Sequence, residues 1–176
     1  MLYHAYNDLT WLYPDTPFEA ASEPFSAAAA RGGTACVQLL TDAAFDAPVP
    51  VRLDFDAPAA ISCEVYQLLP THVEANSGRD THTADCYADV ADFVTREAPF
   101  DVYDVTRPLS DGSLLPGRLA FFLRFHVDAS VSKGDYLCVL TISAGTRQLS
   151  FPLTLEVSGC VIPPLSEARF GMIDWL

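Results

Sequence analysis

The sequence predicts an all-β fold, an antiparallel β-sandwich of the immunoglobulin or jelly-roll kind, with one irregular insertion that can include a short helix. Two alternating segments carry this prediction: apolar side chains occupy every odd position of residues 119–127 and of residues 149–157. A period of two is typical of strands with one buried face. Residues 136–143 form a third strand between them, bounded by turns at Gly134 and Gly145, where glycine favours a tight reversal. Three antiparallel strands with one apolar face need a covering layer, which indicates a sandwich.

The first half of the chain supplies that layer as a series of short strands. Residues 34–41, 49–55 and 61–69 are predicted strands, separated by segments rich in Asp, Pro, Ala and Gly. Pro50 cannot donate to a ladder, so its strand edge must face solvent or a bulge at that point. Residues 25–31 contain four alanines, and the pattern leaves a short helix and a strand both open. Strands recurring at this spacing are typical of a sandwich rather than of alternating strands and helices.

The irregular insertion lies between residues 70 and 117. Tyr87 and Val94 belong to an apolar set at helical spacing, which predicts a short helix over residues 83–94. Residues 100–105 alternate again and predict a further strand. An insertion of this kind is expected on the surface, where binding functions concentrate.

Composition narrows the class of protein. The 176 residues carry 23 acidic and 10 basic side chains, a net charge of -13, and such a field disfavours nucleic-acid and anionic-membrane partners. The sequence contains neither an apolar run long enough for a membrane span nor a recognisable secretory signal, so we expect a cytoplasmic protein. The five cysteines are widely spaced, without a Cys-x-x-Cys motif, and we expect them to be reduced thiols within or near the core.

No catalytic, metal or cofactor site is predicted in this chain. Asp85, Asp89 and Asp92 would share a helical face near Asp80 and His82, but their spacing differs from that of a calcium loop, and we favour a solvated acidic face. The remaining carboxylates are isolated, whereas glycoside hydrolysis needs two held across the scissile bond. A further histidine, on the outward side of the 119–127 strand at position 126, is expected to form hydrogen bonds at the surface or between elements.

Exposed aromatic residues outside the regular strands are the candidate binding residues. Trp11, Tyr13, Tyr87 and Tyr103 could provide stacking platforms for sugar rings. For the N-terminal aromatics, including Phe18, we favour the alternative that they anchor the first segment onto the sandwich.

Several motifs occur in the order found in a known family. Residues 12–17, Leu-Tyr-Pro-Asp-Thr-Pro, and residues 30–38, Ala-Arg-Gly-Gly-Thr-Ala-Cys-Val-Gln, resemble the N-terminal β-sandwich domain of glycoside hydrolase family 123 and of related bacterial sandwich-plus-barrel proteins. At Gly33 the family usually has Glu. Residues 98–104 resemble the family's aspartate-and-proline segment, and residues 134–136 its Gly-x-Tyr turn.

The C-terminal part of the chain extends this resemblance. Residues 153–164 resemble the last sandwich strand and its exit through prolines, and residues 170–175, Phe-Gly-Met-Ile-Asp-Trp, resemble the first strand of a (β/α)₈ barrel. In the family that barrel carries the catalytic carboxylates, so no catalytic residue is carried over to this chain. The resemblance implies a sandwich domain at 1–164 and, at 165–176, a linker or the start of a catalytic barrel. The apolar end should fold back over the sandwich or seek a partner surface.

The resulting functional expectation is a non-catalytic accessory domain of a bacterial glycoside hydrolase, whose partner is the downstream barrel of the same polypeptide. Two alternatives stay open: a stand-alone carbohydrate-binding module, with a glycan as its partner, and an acidic sandwich that binds a basic protein.

Overall fold

A computed structural model describes residues 1–19, 24–58, 60–76, 95–164 and 166–167. Within them, the chain forms the strands β1 (Tyr3–Asn7), β2 (Phe25–Arg31), β3 (Thr34–Phe45), β4 (Val49–Asp56), β5 (Ile61–Val73), β6 (Phe100–Pro108), β7 (Ser113–Leu114), β8 (Gly117–Val127), β9 (Gly134–Ala144) and β10 (Arg147–Val161). A short 3₁₀ turn, Leu109–Asp111, links β6 to β7. Among these residues, no helix has the length and apolar character to cross a membrane.

The strands form two five-stranded sheets. The first sheet has the order β1-β3-β8-β5-β6 and the second the order β2-β10-β9-β4-β7. The described pairs are antiparallel except for β2 with β10, which is parallel. The predicted all-β sandwich is confirmed, with one parallel edge pair added.

The core lies between the sheets and follows the alternation read from the sequence. Within residues 119–127 of β8 and 149–157 of β10 the odd-numbered side chains are buried, and they are Leu119, Phe121, Leu123, Phe125, Val127, Leu149, Phe151, Leu153, Leu155 and Val157. Phe151 packs edge-on against Tyr3 of β1, with ring centroids 5.3 Å apart. Because a strand sends alternate side chains to opposite faces, the even-numbered residues are left on the outer faces.

The alanine-rich segment 25–31 is a strand, which resolves the ambiguity of the sequence. It pairs with β10, with Phe25 opposite Leu153 and Ala29 opposite Val157, and Ala29 is buried. Alanine favours helices in isolation, but backbone pairing with β10 and contact with the core outweigh that preference.

Pro50 lies where the sequence predicted. The ladder of β4 with β9 begins at Val51, while Val49 and Pro50 pair only with the two-residue strand β7. Since Pro50 lies one residue beyond the end of the β9 ladder, its missing N–H leaves no ladder bond unmade.

The insertion is only partly described. The predicted strand at 100–105 is confirmed as β6, which extends to Pro108 and pairs with a β5 that runs on to Val73. The predicted helix at 83–94 lies outside the described residues. So do the acidic group Asp80, His82, Asp85, Asp89 and Asp92, and the barrel-like segment 170–175.

Candidate functional site

The predicted aromatic residues do not form one exposed platform. Trp11 is 62% exposed, whereas Tyr103 is 6% exposed and lies in an apolar cluster on the outer face of the first sheet. Its hydroxyl donates to the backbone oxygen of Arg118 at 3.2 Å. The expectation that Tyr103 offers a stacking surface is therefore wrong, and burial raises its pKa. Tyr87 lies outside the described residues.

Tyr103 is buried because the N-terminal segment crosses the sheet above it. The Leu12 carbonyl accepts a hydrogen bond from the Tyr103 N–H at 3.0 Å. The Leu12 side chain is 1% exposed and packs with Leu40, Leu68 and Ala120. We call residues 8–18 the covering segment.

Two polar side chains of the sheet hold the covering segment in place. The buried Gln38 amide donates to the carbonyls of Asn7 at 3.0 Å and Thr10 at 2.8 Å. The Arg118 guanidinium donates to the carbonyls of Pro14 at 3.0 Å and Thr16 at 2.6 Å. The bonds to Thr10, Pro14 and Thr16 satisfy backbone oxygens that lie outside the strands.

Tyr13 is part of the same attachment and not a free sugar platform. The Arg96 guanidinium carbon lies 4.4 Å from the centre of the Tyr13 ring, and Phe100 meets that ring edge-on at 5.8 Å. Arg96 also donates through two nitrogens to Asp15, and this bonding lowers the pKa of Asp15. The alternative that N-terminal aromatics anchor the first segment is confirmed for Tyr13.

Beyond the covering segment, the same face carries a polar and aromatic patch that we call the outer strip: Glu64 and Tyr66 on β5 with Phe122, Arg124 and His126 on β8. Antiparallel pairing sets Glu64 opposite Arg124 and Tyr66 opposite Phe122. All five positions alternate with core residues, so their side chains point away from the core. The side chains of Glu64, Arg124 and His126 are 47%, 42% and 37% exposed, and a ligand from solvent can reach them.

Three donors converge on one oxygen of Glu64. Arg124 Nε lies 2.8 Å from Oε2, the Tyr66 hydroxyl 3.0 Å and His126 Nε2 3.1 Å. Hydrogen bonds from His126, then Arg124 and Tyr66, lower the pKa of Glu64 to about 2. The hydrogen bond to Glu64 in turn raises the pKa of Tyr66. Glu64 is therefore anionic at neutral pH and fixed in orientation.

Glu64 also has a second carboxylate oxygen, Oε1. Within the part of the chain that the structure describes, Oε1 accepts no hydrogen bond. Arg124 binds Glu64 through Nε and Nη2, which leaves Nη1 directed elsewhere. A carboxylate oxygen and a guanidinium N–H group thus take no part in this ion pair and can bond a further polar group.

An open cavity of about 720 Å³ continues the outer strip at one end of the sandwich. His126, Thr34 and Ser62 line one side of it, and residues 162–164 line another. A Cβ on Gly33 would lie 2.8 Å from Ile162 Cδ1, so glycine permits the close approach of the Ile162 side chain. Gly33, where the family usually has Glu, is thus the residue that makes this contact.

A second cavity, of about 320 Å³, lies beside the covering segment. Its ionisable side chains are already paired, Arg96 with Asp15 and His72 with Asp101, the latter at 2.8 Å. Within the described ranges, no group of three or more His, Cys, Asp or Glu residues is placed to hold a metal ion.

Sequence reasoning identified only His126 of the outer strip, and its predicted role as a surface hydrogen bonder is confirmed. Glu64, Tyr66, Phe122 and Arg124 were not singled out. Their outward positions on predicted strands were visible, but the signal was incomplete because nothing local indicated that β5 pairs with β8.

No protein-family model and no curated protein matches the sequence. Among solved structures, the sandwich is similar to part of a family 123 glycoside hydrolase from Clostridium perfringens that hydrolyses glycolipid glycans. The identity is 14% and the TM-score 0.56, over 94% of this chain and 29% of the hydrolase. A second similar structure, domains 4 and 5 of the S-layer protein SbsC, has 11% identity and a TM-score of 0.34 over 87% of this chain and 54% of that chain. The chain therefore shares its fold with a part of the hydrolase.

Proposed function

We propose that this chain is a non-catalytic accessory domain of a bacterial glycoside hydrolase, which packs beside a catalytic barrel in the same polypeptide and shapes its substrate cleft. The observation that carries the proposal is the unequal coverage of the fold likeness. The likeness covers 94% of this chain but only 29% of a glycoside hydrolase. The order of sequence motifs resembling the same family supports it.

The chemistry of the outer strip also supports an accessory role. A general acid of a glycosidase needs a raised carboxyl pKa, whereas hydrogen bonds hold the pKa of Glu64 at about 2. A retaining or inverting mechanism also needs a second carboxyl group across the scissile bond. The hydrogen-bonding partners of Glu64 are Tyr66, Arg124 and His126, none of which is a carboxylate.

The first test is the coding sequence beyond codon 176. We expect the reading frame to continue into a (β/α)₈ barrel, and a stop codon at that point would contradict the proposal. In the full protein, deleting the sandwich should lower the thermal stability of the barrel or its kcat/KM on a glycan substrate.

The second test asks whether the chain is catalytic by itself. Incubation with chromogenic N-acetylhexosaminides and other aryl glycosides should give no turnover. Specific hydrolysis that one Asp or Glu substitution abolishes would overturn the non-catalytic role.

The acidic surface supports a separate candidate. With a net charge of -13, the sandwich could instead bind a basic protein, and that binding would weaken steeply as salt rises. Pull-down with the separately expressed barrel at low and high salt distinguishes this contact from apolar domain packing.

A further inference from the structure

We propose that the outer strip is a binding site for a neutral sugar ring, with Glu64 and Arg124 bonding its hydroxyl groups and the rings of Tyr66 and Phe122 contacting its apolar face. The site is distinct from the predicted aromatic positions. The choice of a carbohydrate as the ligand class rests on the proposed function. The geometry of the site does not.

The polar half of the site offers one acceptor and one donor to the hydroxyl groups of a sugar. Each sugar hydroxyl both donates and accepts, so an acceptor and a donor of the same ion pair can each bond a hydroxyl group of one ring. Glu64 Oε1 is the acceptor and Arg124 Nη1 the donor, because Oε2, Nε and Nη2 are already engaged with each other. The bonds from Tyr66 and His126 to Oε2 fix the carboxylate before any ligand arrives. Because the carboxylate is already held in one orientation, binding a ligand costs less conformational entropy.

The aromatic half lies directly beside it. The rings of Tyr66 and Phe122 are 6.2 Å apart between centroids and inclined at 63°. The guanidinium carbon of Arg124 lies 5.9 Å from the centre of the Tyr66 ring. Phe122 packs against the apolar cluster beneath the covering segment, so it is supported from one side. Half-buried aromatic rings provide an apolar contact surface with little conformational freedom to lose.

Charge selects a neutral ligand. Glu64 and Arg124 neutralise each other within the strip, and the chain as a whole carries a net charge of -13, which repels anionic sugars.

The adjoining cavity provides room for more than one ring. Its volume of about 720 Å³ falls within the usual range of small-molecule sites. The hydroxyl groups of Thr34 and Ser62 line it next to His126. A disaccharide that places one ring on the outer strip can therefore extend the second into the cavity, and we expect it to bind more tightly than a monosaccharide.

The experiment is a ¹H–¹⁵N NMR titration of the 176-residue chain with glucose, galactose, N-acetylglucosamine and N-acetylgalactosamine, and with cellobiose, maltose and lactose. We expect a dissociation constant on the order of millimolar for the best probe. The largest shifts should fall on Glu64, Tyr66, Arg124 and His126. The inference would be overturned if no probe gives a saturable shift up to about 50 mM, which corresponds to a binding free energy weaker than about 2 kcal/mol.

Matched substitutions identify the site. Glu64→Gln removes the charged acceptor and should weaken binding about tenfold, as should Tyr66→Ala. Glu156→Gln, the same substitution at an exposed position on β10 of the other sheet, should leave the affinity unchanged. The spectra themselves report whether each variant is folded, and Glu64→Gln at an exposed surface position leaves the core intact.

Two results would contradict the assignment. If Trp11→Ala abolishes binding while Glu64→Gln does not, the sugar contacts the covering segment instead. If Glu64→Gln and Glu156→Gln behave alike, the outer strip is not the site. Neither result bears on whether the reading frame continues into a barrel, so the proposed accessory role is tested separately.

Discussion

Replacing Leu12 with alanine is expected to release the covering segment from the outer face of the first sheet. Leu12 is 1% exposed although it lies in an extended segment outside the strands. Its side chain packs with Leu40, Leu68, Tyr103 and Ala120. The substitution removes buried apolar volume and leaves a cavity beneath the segment.

The expected loss follows from that burial. Leu→Ala at a fully buried site lowers the free energy of unfolding by about 2–5 kcal/mol, and we expect about 3 kcal/mol because a surface segment can partly collapse into the space. Leu9→Ala is the matched control, since Leu9 belongs to the same segment and is 85% exposed. That variant should change the free energy of unfolding by less than about 0.5 kcal/mol.

Urea denaturation followed by circular dichroism measures both variants. With an m-value of about 2 kcal/mol per molar urea, the Leu12→Ala midpoint should fall by about 1.5 M, and the melting temperature by about 6–12 °C. Equal, small losses for Leu12→Ala and Leu9→Ala would refute the packing of the covering segment on the sheet. Hydrogen exchange at the Tyr103 amide, which donates to the Leu12 carbonyl, should accelerate only in Leu12→Ala.

Three further predictions follow from other parts of the fold. Because the pKa of Glu64 is lowered from 4.5 to about 2, its contribution to stability is present above pH 4.5 and lost as the pH falls towards 2. Glu64→Gln should therefore flatten the acid dependence of the melting temperature over that window, and an unchanged slope would contradict the role of its three donors. Burial raises the pKa of Cys63 to about 12, so iodoacetamide should label the exposed Cys160 well before Cys63 in the native chain. Peptide mass spectrometry measures the order of labelling. In urea both thiols should react at similar rates, and equal rates in the native chain would contradict the burial of Cys63. Gly32 has a φ of 75°, and an added Cβ would lie 2.6 Å from the Ile162 carbonyl oxygen. Gly32→Ala should therefore lower the free energy of unfolding by about 1–3 kcal/mol in the same urea assay. An unchanged free energy of unfolding would contradict the close packing of Gly32 against Ile162.

Alternation within single strands was sufficient to predict the two layers and much of the core. The odd-numbered residues of 119–127 and 149–157 are buried as expected, because the period of two is a property of the extended backbone and does not depend on neighbours. The same local logic predicted that the strand edge at Pro50 faces solvent or a bulge, and Pro50 lies one residue beyond the β9 ladder. Local preference failed where it was ambiguous: the alanines of β2 favour helix, and only pairing with β10 determines that they form a strand.

What the sequence determined by itself is the class of fold, the inward faces of its strands and the acidic charge, since each follows from residue type and spacing along the chain. The tertiary structure alone determined which outward faces stay exposed. Tyr103 is buried because a segment about 90 residues earlier in the chain, at Leu12, crosses above it. The outer strip exists because the pairing of β5 with β8 brings Glu64 beside Arg124, 60 residues away. Contacts between such distant segments depend on strand order and register, which residue patterns within single strands do not encode.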